Sequence, residues 1–124
     1  MTLYERLMLR VRNKTSIARS QNIDIDKTAK IRDCTILMKG HNNSLKIEAN
    51  VRLRNTLIEI NGNNCSLTIG ENSVIGQNCY LSTREEGTHL VIGSDCMLSR
   101  NVKIMASDGH NVIKDGKRIN PAQN

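Results

Sequence analysis

From residue 23 the apolar positions of the chain recur with a long, regular period. Ile25, Ile47 and Ile69 are separated by 22 residues, and Ile92 follows after 23. Their surroundings repeat with them. Asn42 aligns with Asn64, Ser44 with Ser66, Leu45 with Leu67 and Asn50 with Asn72, while Leu90, Gly93 and Asp95 continue the series one period later. Leu53, Ile75 and Leu98 make a second aligned column, and Leu81 and Ile104 belong to a third. Self-similarity at a period of this size signals an array of stacked structural units.

A six-residue step runs inside the long period. Ile69, Ile75 and Leu81 open successive hexads, as do Ile92, Leu98 and Ile104. Ser73, Cys79, Cys96 and Val102 fill the fifth place, where only a small side chain fits beside the aliphatic one. Glycine follows the aliphatic residue at Gly70, Gly76 and Gly93, easing the backbone at a crowded point. Three short strands joined by tight corners close one triangular coil. The expectation is an all-β fold, a left-handed parallel β-helix of about four coils, with the residues beyond three hexads projecting at a corner. The coils are assigned to residues 23–106.

Residues 1–22 read as a capping helix and linker. Leu3, Leu7 and Val11 recur in steps of four, and Thr2 with Glu5 three residues later forms a capping-box pattern. The spacing predicts an amphipathic helix over roughly 2–19. Its basic polar face also suits a membrane surface. The simpler role is to cover the open end of the stack, which would otherwise expose apolar side chains.

Composition agrees with a solenoid. The chain has 14 Ile and 15 Asn but no Trp, no Phe and two Tyr, so aliphatic columns rather than aromatic rings must build the core. Asn tolerates the left-handed backbone region that tight corners demand. Cys34, Cys65, Cys79 and Cys96 contain no C-x-x-C pair, which argues against a zinc or redox motif, so no metal is expected. Cys79 and Cys96 occupy small-residue places, so reduced packing thiols in a cytoplasmic protein are expected. No apolar run reaches membrane-spanning length, and residues 1–20 are too charged for a signal peptide; no membrane insertion is expected. The net charge of +6 is either a solvated basic surface or an attraction for an anionic ligand. Nucleic acid is disfavoured, because no aromatic platform accompanies the charge.

After Ile104 the pattern gives way to a polar, turn-rich segment, residues 105–120, with Asp108-Gly109 and Asp115-Gly116 as turn signals. Ser107, Asp108, Gly109, His110, Asn111 and Val112, followed by Gly116, Lys117, Arg118, Ile119, Asn120 and Pro121, resemble the active-site loop of bacterial hexapeptide-repeat O-acetyltransferases. The nearest branch modifies capsular, exopolysaccharide or lipopolysaccharide sugars. The resemblance implies that His110 is the catalytic histidine, that acetyl-CoA is the co-substrate and a sugar or polysaccharide the acceptor. It further implies a homotrimer, with acetyl-CoA held between neighbouring β-helices. Ser107, Asn111, Arg118 and Asn120 match the loop as substrate-binding positions, although structural hydrogen bonding accounts for Arg118 and Asn120 equally well.

The chemistry is coherent without the name. A sugar hydroxyl is a poor nucleophile near neutral pH, and a thioester is a good acyl donor. An imidazole that takes the hydroxyl proton during attack is the useful group. Asp108 either orients the imidazolium or makes an Asx turn with the backbone, and the turn is the simpler role. His41 is expected at a corner, because it aligns with Asn63, and His89 in an exposed excursion after Arg84. Arg84, Glu85 and Glu86 stack one period below Ser107, Asp108 and Gly109, where a salt-bridged loop is their plainest role. In one respect the sequence departs from the resemblance. The family continues with further coils and a Trp-bearing hexad, whereas residues 107–124 close this chain and it has no Trp. A truncated form with impaired activity is therefore expected. A non-catalytic β-solenoid that binds a glycan or assembles through its open end is the alternative.

Overall fold

The computed structural model describes residues 3–106 and the backbone of two short strands, 113–114 and 117–118; side chains are described for residues 6–106. Helix α1 (Leu3–Arg12) leads into β1 (Lys14–Ile17), β2 (Asn22–Ile25) and β3 (Lys30–Arg32). The second coil is β4 (Thr35–Lys39), β5 (Ser44–Ile47) and β6 (Arg52–Arg54). The third is β7 (Leu57–Asn61), β8 (Ser66–Ile69) and β9 (Val74–Ile75). The fourth is β10 (Tyr80–Arg84), β11 (His89–Ile92) and β12 (Met97–Leu98), and β13 (Lys103–Met105) begins the next turn.

Each strand from β1 to β13 pairs in parallel with the strand one coil away. The result is three sheets: a first of β1, β4, β7, β10 and β13, a second of β2, β5, β8 and β11, and a third of β3, β6, β9 and β12. This is a parallel β-helix of about four coils with one short helix at its N-terminal end. The predicted columns are in register: Ile25 on Ile47, Ile47 on Ile69 and Ile69 on Ile92 in the second sheet. In the third sheet Leu53 lies on Ile75 and Ile75 on Leu98. Ile36, Ile58, Leu81 and Ile104 stack in the first. The surplus beyond three hexads sits at one corner. Eleven residues carry the chain from Ile58 to Ile69, against six from Ile69 to Ile75. That corner joins the first sheet to the second.

The helix is shorter than the spacing predicts. It stops at Arg12, and residues 14–17 already form a strand paired with β4. Asn13 ends it. Its buried Nδ2 donates to the carbonyls of Leu9 and Ile31, and its Oδ1 accepts from the Cys34 amide, tying the last helical turn to the first coils. The face that meets the core also differs. Leu9 packs against it, whereas Leu7 and Val11 stand 56% and 70% exposed. Once Asn13 fixes the exit of the helix, the stripe through Leu7 and Val11 is rotated away from the stack. The capping pair of Thr2 and Glu5 lies outside the described side chains.

The corners explain the asparagines. Asn42, Asn50, Asn55, Asn64, Asn72, Asn78 and Asn101 all have φ between 50° and 63°, and Asp33 and Asp95 share that conformation. The side chains then bond up the stack. Asn42 Nδ2 donates to Asn64 Oδ1 at 2.8 Å, Asn50 to Asn72 at 3.2 Å and Asn78 to Asn101 at 2.6 Å. Inside each corner a small residue closes the contact. Thr56 Oγ1 donates to the Gly76 carbonyl, Ser73 Oγ to that of Gly93, Cys65 Sγ to that of Glu85 and Cys79 Sγ to that of Ser99. All four cysteines are free, and burial pushes the Cys34 thiol up, so it stays a packing group. Asn43, wholly buried, replaces the small residue at one corner and is fully bonded, donating to the Lys39 and Gly62 carbonyls and accepting from the Cys65 amide.

Glycine is required where backbone lies on backbone. A Cβ on Gly70 would sit 2.5 Å from the Gly93 carbonyl carbon, whereas one on Gly93 would meet only Cys96 Sγ at 3.9 Å. We therefore expect Gly70→Ala to lower the unfolding free energy by about 2–3 kcal/mol, as overpacking does. Gly93→Ala should cost less than about 1 kcal/mol in this chain. Urea unfolding of the two variants checks this; equal losses would show that the coils do not abut at that corner.

Candidate functional site

The loop candidates fall beyond the described coils. Ser107, Asp108, His110, Asn111 and Asn120 lie outside the described residues. Arg118 is described only in its backbone, on β15 (Lys117–Arg118), which pairs antiparallel with β14 (Ile113–Lys114). The segment bearing them follows Ala106, whose amide donates to the Ser82 carbonyl at 3.0 Å and so continues the first sheet. The surface beside its departure point is thus the outer face of β7, β10 and β13.

That face carries a polar cluster. Along β10, Leu81 and Thr83 point into the stack, on Ile58 and Ile60. Alternation turns Tyr80, Ser82 and Arg84 outward. Ser82 stands opposite Glu59, with Tyr80 and Arg84 two residues to either side. Both flanking side chains lean onto the same carboxylate. Tyr80 Oη donates to Glu59 Oε1 at 2.5 Å and Arg84 Nη2 donates to that oxygen at 2.7 Å, with a further 3.2 Å bond to Tyr80 Oη. The Tyr80 hydroxyl, and after it the Arg84 guanidinium, hold the Glu59 carboxyl below the ordinary glutamate range. The same carboxylate, then Tyr80, raises Arg84. Ser82 and Thr83 are fully buried, and Ser82 Oγ, Thr83 Oγ1 and Arg84 Nε have no hydrogen-bond partner among the described residues. Consecutive buried donors left unpaired are uncommon, and they concentrate on one strand here.

The excursion after β10 behaves as the sequence implies only in part. Arg84 is salt-bridged, to Glu59. Glu86 accepts from Asn64 Nδ2 at 3.4 Å, joining the corner ladder, and Glu85 takes a positive φ of 68°. Thr88 Oγ1 donates back to the carbonyls of Arg84 and Glu85, closing the turn. His89 is exposed but belongs to strand β11, where its Nδ1 lies 2.6 Å from Ser66 Oγ. His41 is exposed at its corner, its amide bonded to Asn63 Oδ1. Sequence reading missed Glu59 and Tyr80. Their signal was the repeat itself, since the alignment of Ile58 with Leu81 places Glu59 opposite Ser82.

Among the described residues no group of His, Cys, Asp and Glu is arranged to hold a metal ion, and no helix is long and apolar enough to cross a membrane.

The stacked hexads, Asn corners and capping helix define a hexapeptide-repeat β-helix. No protein-family model matches the chain. It is 31% identical over 108 residues to the polysialic acid O-acetyltransferase of Neisseria meningitidis, across 86% of this chain and 49% of that protein. The crystal structure of the polySia specific acetyltransferase NeuO superposes with a TM-score of 0.56 at 24% identity, covering 90% of this chain and 57% of that one, a likeness of fold. The chain is a parallel β-helix built on hexapeptide repeats, and it spans about half the length of the curated relative it matches.

The Glu59 cluster has a pH signature. A carboxyl held below its ordinary value contributes stability above the unfolded pKa, near 4.5, and loses it as pH falls through the lower folded value. Glu59→Gln should cost about 1 kcal/mol at pH 7. The difference from the native chain should shrink as pH falls below 4.5. Thermal unfolding at pH 7 and at low pH measures it; a pH-independent difference would remove the charged interaction from the account.

Proposed function

We propose that this chain acts in O-acetylation of a polysaccharide, with acetyl-CoA as the acyl donor and His110 as the general base. The observation that carries the reading is the match to a polysialic acid O-acetyltransferase over 108 residues, 86% of this chain. The loop beginning at Ser107, contiguous with the first sheet at Ala106, supplies the histidine.

In the reaction His110 takes the proton of an acceptor hydroxyl as its oxygen attacks the thioester carbonyl. The tetrahedral intermediate expels the sulfur of CoA, which recovers the proton from the imidazolium. An ester C–O bond forms, a C–S bond breaks, and no covalent enzyme intermediate is needed when both substrates are held together. Asp108 orients the ring or shapes the turn that carries it. Ser107, Asn111, Arg118 and Asn120 contact the substrates. The Glu59–Tyr80–Arg84 cluster stands on the same sheet that ends at Ala106. The active assembly is a homotrimer with acetyl-CoA lying between β-helices. Free thiols at all four cysteines accord with a cytoplasmic location, where acetyl-CoA is available.

Incubation with acetyl-CoA and polysialic acid, followed by thiol titration of released CoA, tests the reading. Release should depend on the acceptor. His110→Ala should lower it at least about a hundredfold. Release that is unaffected by the substitution, or absent from the native chain, would overturn the proposal.

A further inference from the structure

Outward positions of the third sheet carry a compact block of cations that the acyl-transfer chemistry does not use. Lys30 lies directly on Arg52, and Arg32 directly on Arg54. Ile31 and Leu53, between them along the strands, are buried, so all four charged side chains stand on the outer face, and all four are exposed. Strand spacing is about 4.8 Å and alternate residues are roughly 6.8 Å apart, so the four charges form a small rectangle. Like charges set directly opposite one another destabilise a sheet. None of the four is in an ion pair among the described residues, where the single such pair is Glu59–Arg84 on the first sheet.

The surface beside the block is shaped as well. One coil further, Val74 follows Arg52 in register, and the column of Arg32 and Arg54 runs into Gly76, which carries no side chain. A shallow groove results, lined by the four cations together with Val74 and Gly76. Below the block, Arg12 and Arg32 share a second depression with Asp33. Positive charge therefore extends along the third sheet beside an apolar strip.

We propose that this face holds a polyanionic glycan, a chain bearing carboxylates on successive sugars. That the occupant is a glycan rests on the acetyltransferase reading above; that it is an anionic polymer rests on four regularly spaced cations that form no ion pair among the described residues. A polymer meets several of them at once, which a monosaccharide cannot do. Nucleic acid is the weaker fit, because the face presents no ring on which a base would stack. Tyr80, the one aromatic residue among the described side chains, is on the first sheet and bonded to Glu59.

The test is equilibrium binding, read by fluorescence anisotropy of end-labelled polysialic acid fragments at several salt concentrations without acetyl-CoA. The native chain should bind, with affinity falling as salt rises. Arg52→Thr with Arg54→Thr should weaken binding at least tenfold and flatten the salt dependence. Lys39→Thr with Lys46→Thr, on the first and second sheets, should change it less than twofold. Thermal unfolding verifies that the Arg52/Arg54 variant is folded, and relief of the facing charges should leave its Tm unchanged or raised. If it fails to fold, the single changes Arg52→Gln and Arg54→Gln carry the test. Native affinity in the Arg52/Arg54 variant, no binding by the native chain at low salt, or tighter binding of single- or double-stranded DNA would each overturn the proposal. No turnover enters this measurement, so it stands or falls independently of His110.

Discussion

Stacking one coil on the next at the spacing of a hydrogen-bonded sheet is the constraint from which the other features follow. Successive coils are held about 4.8 Å apart by their parallel ladders, so each corner must turn within a few residues and lie flat on the corner below. A left-handed residue makes that turn. Asparagine takes the role at Asn50 and Asn72, or Asn78 and Asn101, because its amide both tolerates the conformation and bonds to its counterpart in the next coil. Just inside the turn, Ser73, Thr56, Cys65 and Cys79 are small enough to fit and polar enough to satisfy a carbonyl of the coil above. The interior is thereby fixed in composition as well as in shape.

Outward positions escape that constraint, and the three faces have diverged. On the first sheet the outward residues of β7 and β10 converge on one carboxylate, next to the point where the polar loop leaves. On the third sheet the outward residues of β3 and β6 are all cationic. The interior cannot distinguish these faces, because Ile36, Ile47 and Leu53 serve the same purpose on each. Function on a solenoid is written in the residues that the stacking does not need.

The fold was legible because the stacking constraint is periodic. Ile25, Ile47, Ile69 and Ile92 announce their register directly, and hexads such as Ile69 to Val74 announce the corners. The helix was less legible. Its stripe at Leu3, Leu7 and Val11 is a sound amphipathic pattern, yet the face it presents is set by Asn13, whose bonds to Leu9, Ile31 and Cys34 involve partners far along the chain. Tertiary hydrogen bonding overrode a local period. At the site, the loop motif around His110 stands out through its polarity, whereas Glu59 and Tyr80 look like ordinary strand residues. Only their register, Tyr80 on Leu57 and Ser82 on Glu59, gathers them with Arg84.

The separation of these surfaces bears on the size of the acceptor. The cationic block occupies the first and second coils, whereas the loop leaves after β13, at the start of the fifth. The strand after the block is β7, and two steps of about 4.8 Å from β7 to β13 put at least roughly 10 Å between them along the stack, before the turn from one face to another is counted. A single sugar ring cannot bridge that distance. Under the proposed function, a molecule that engages both is a chain of several units, held by charge at one place and acylated at another. Such an arrangement raises the local concentration of hydroxyls at the loop without demanding tight recognition of any one of them. It suits modification at many sites along a polymer, where release and re-binding in a new register matter more than the grip on a single residue.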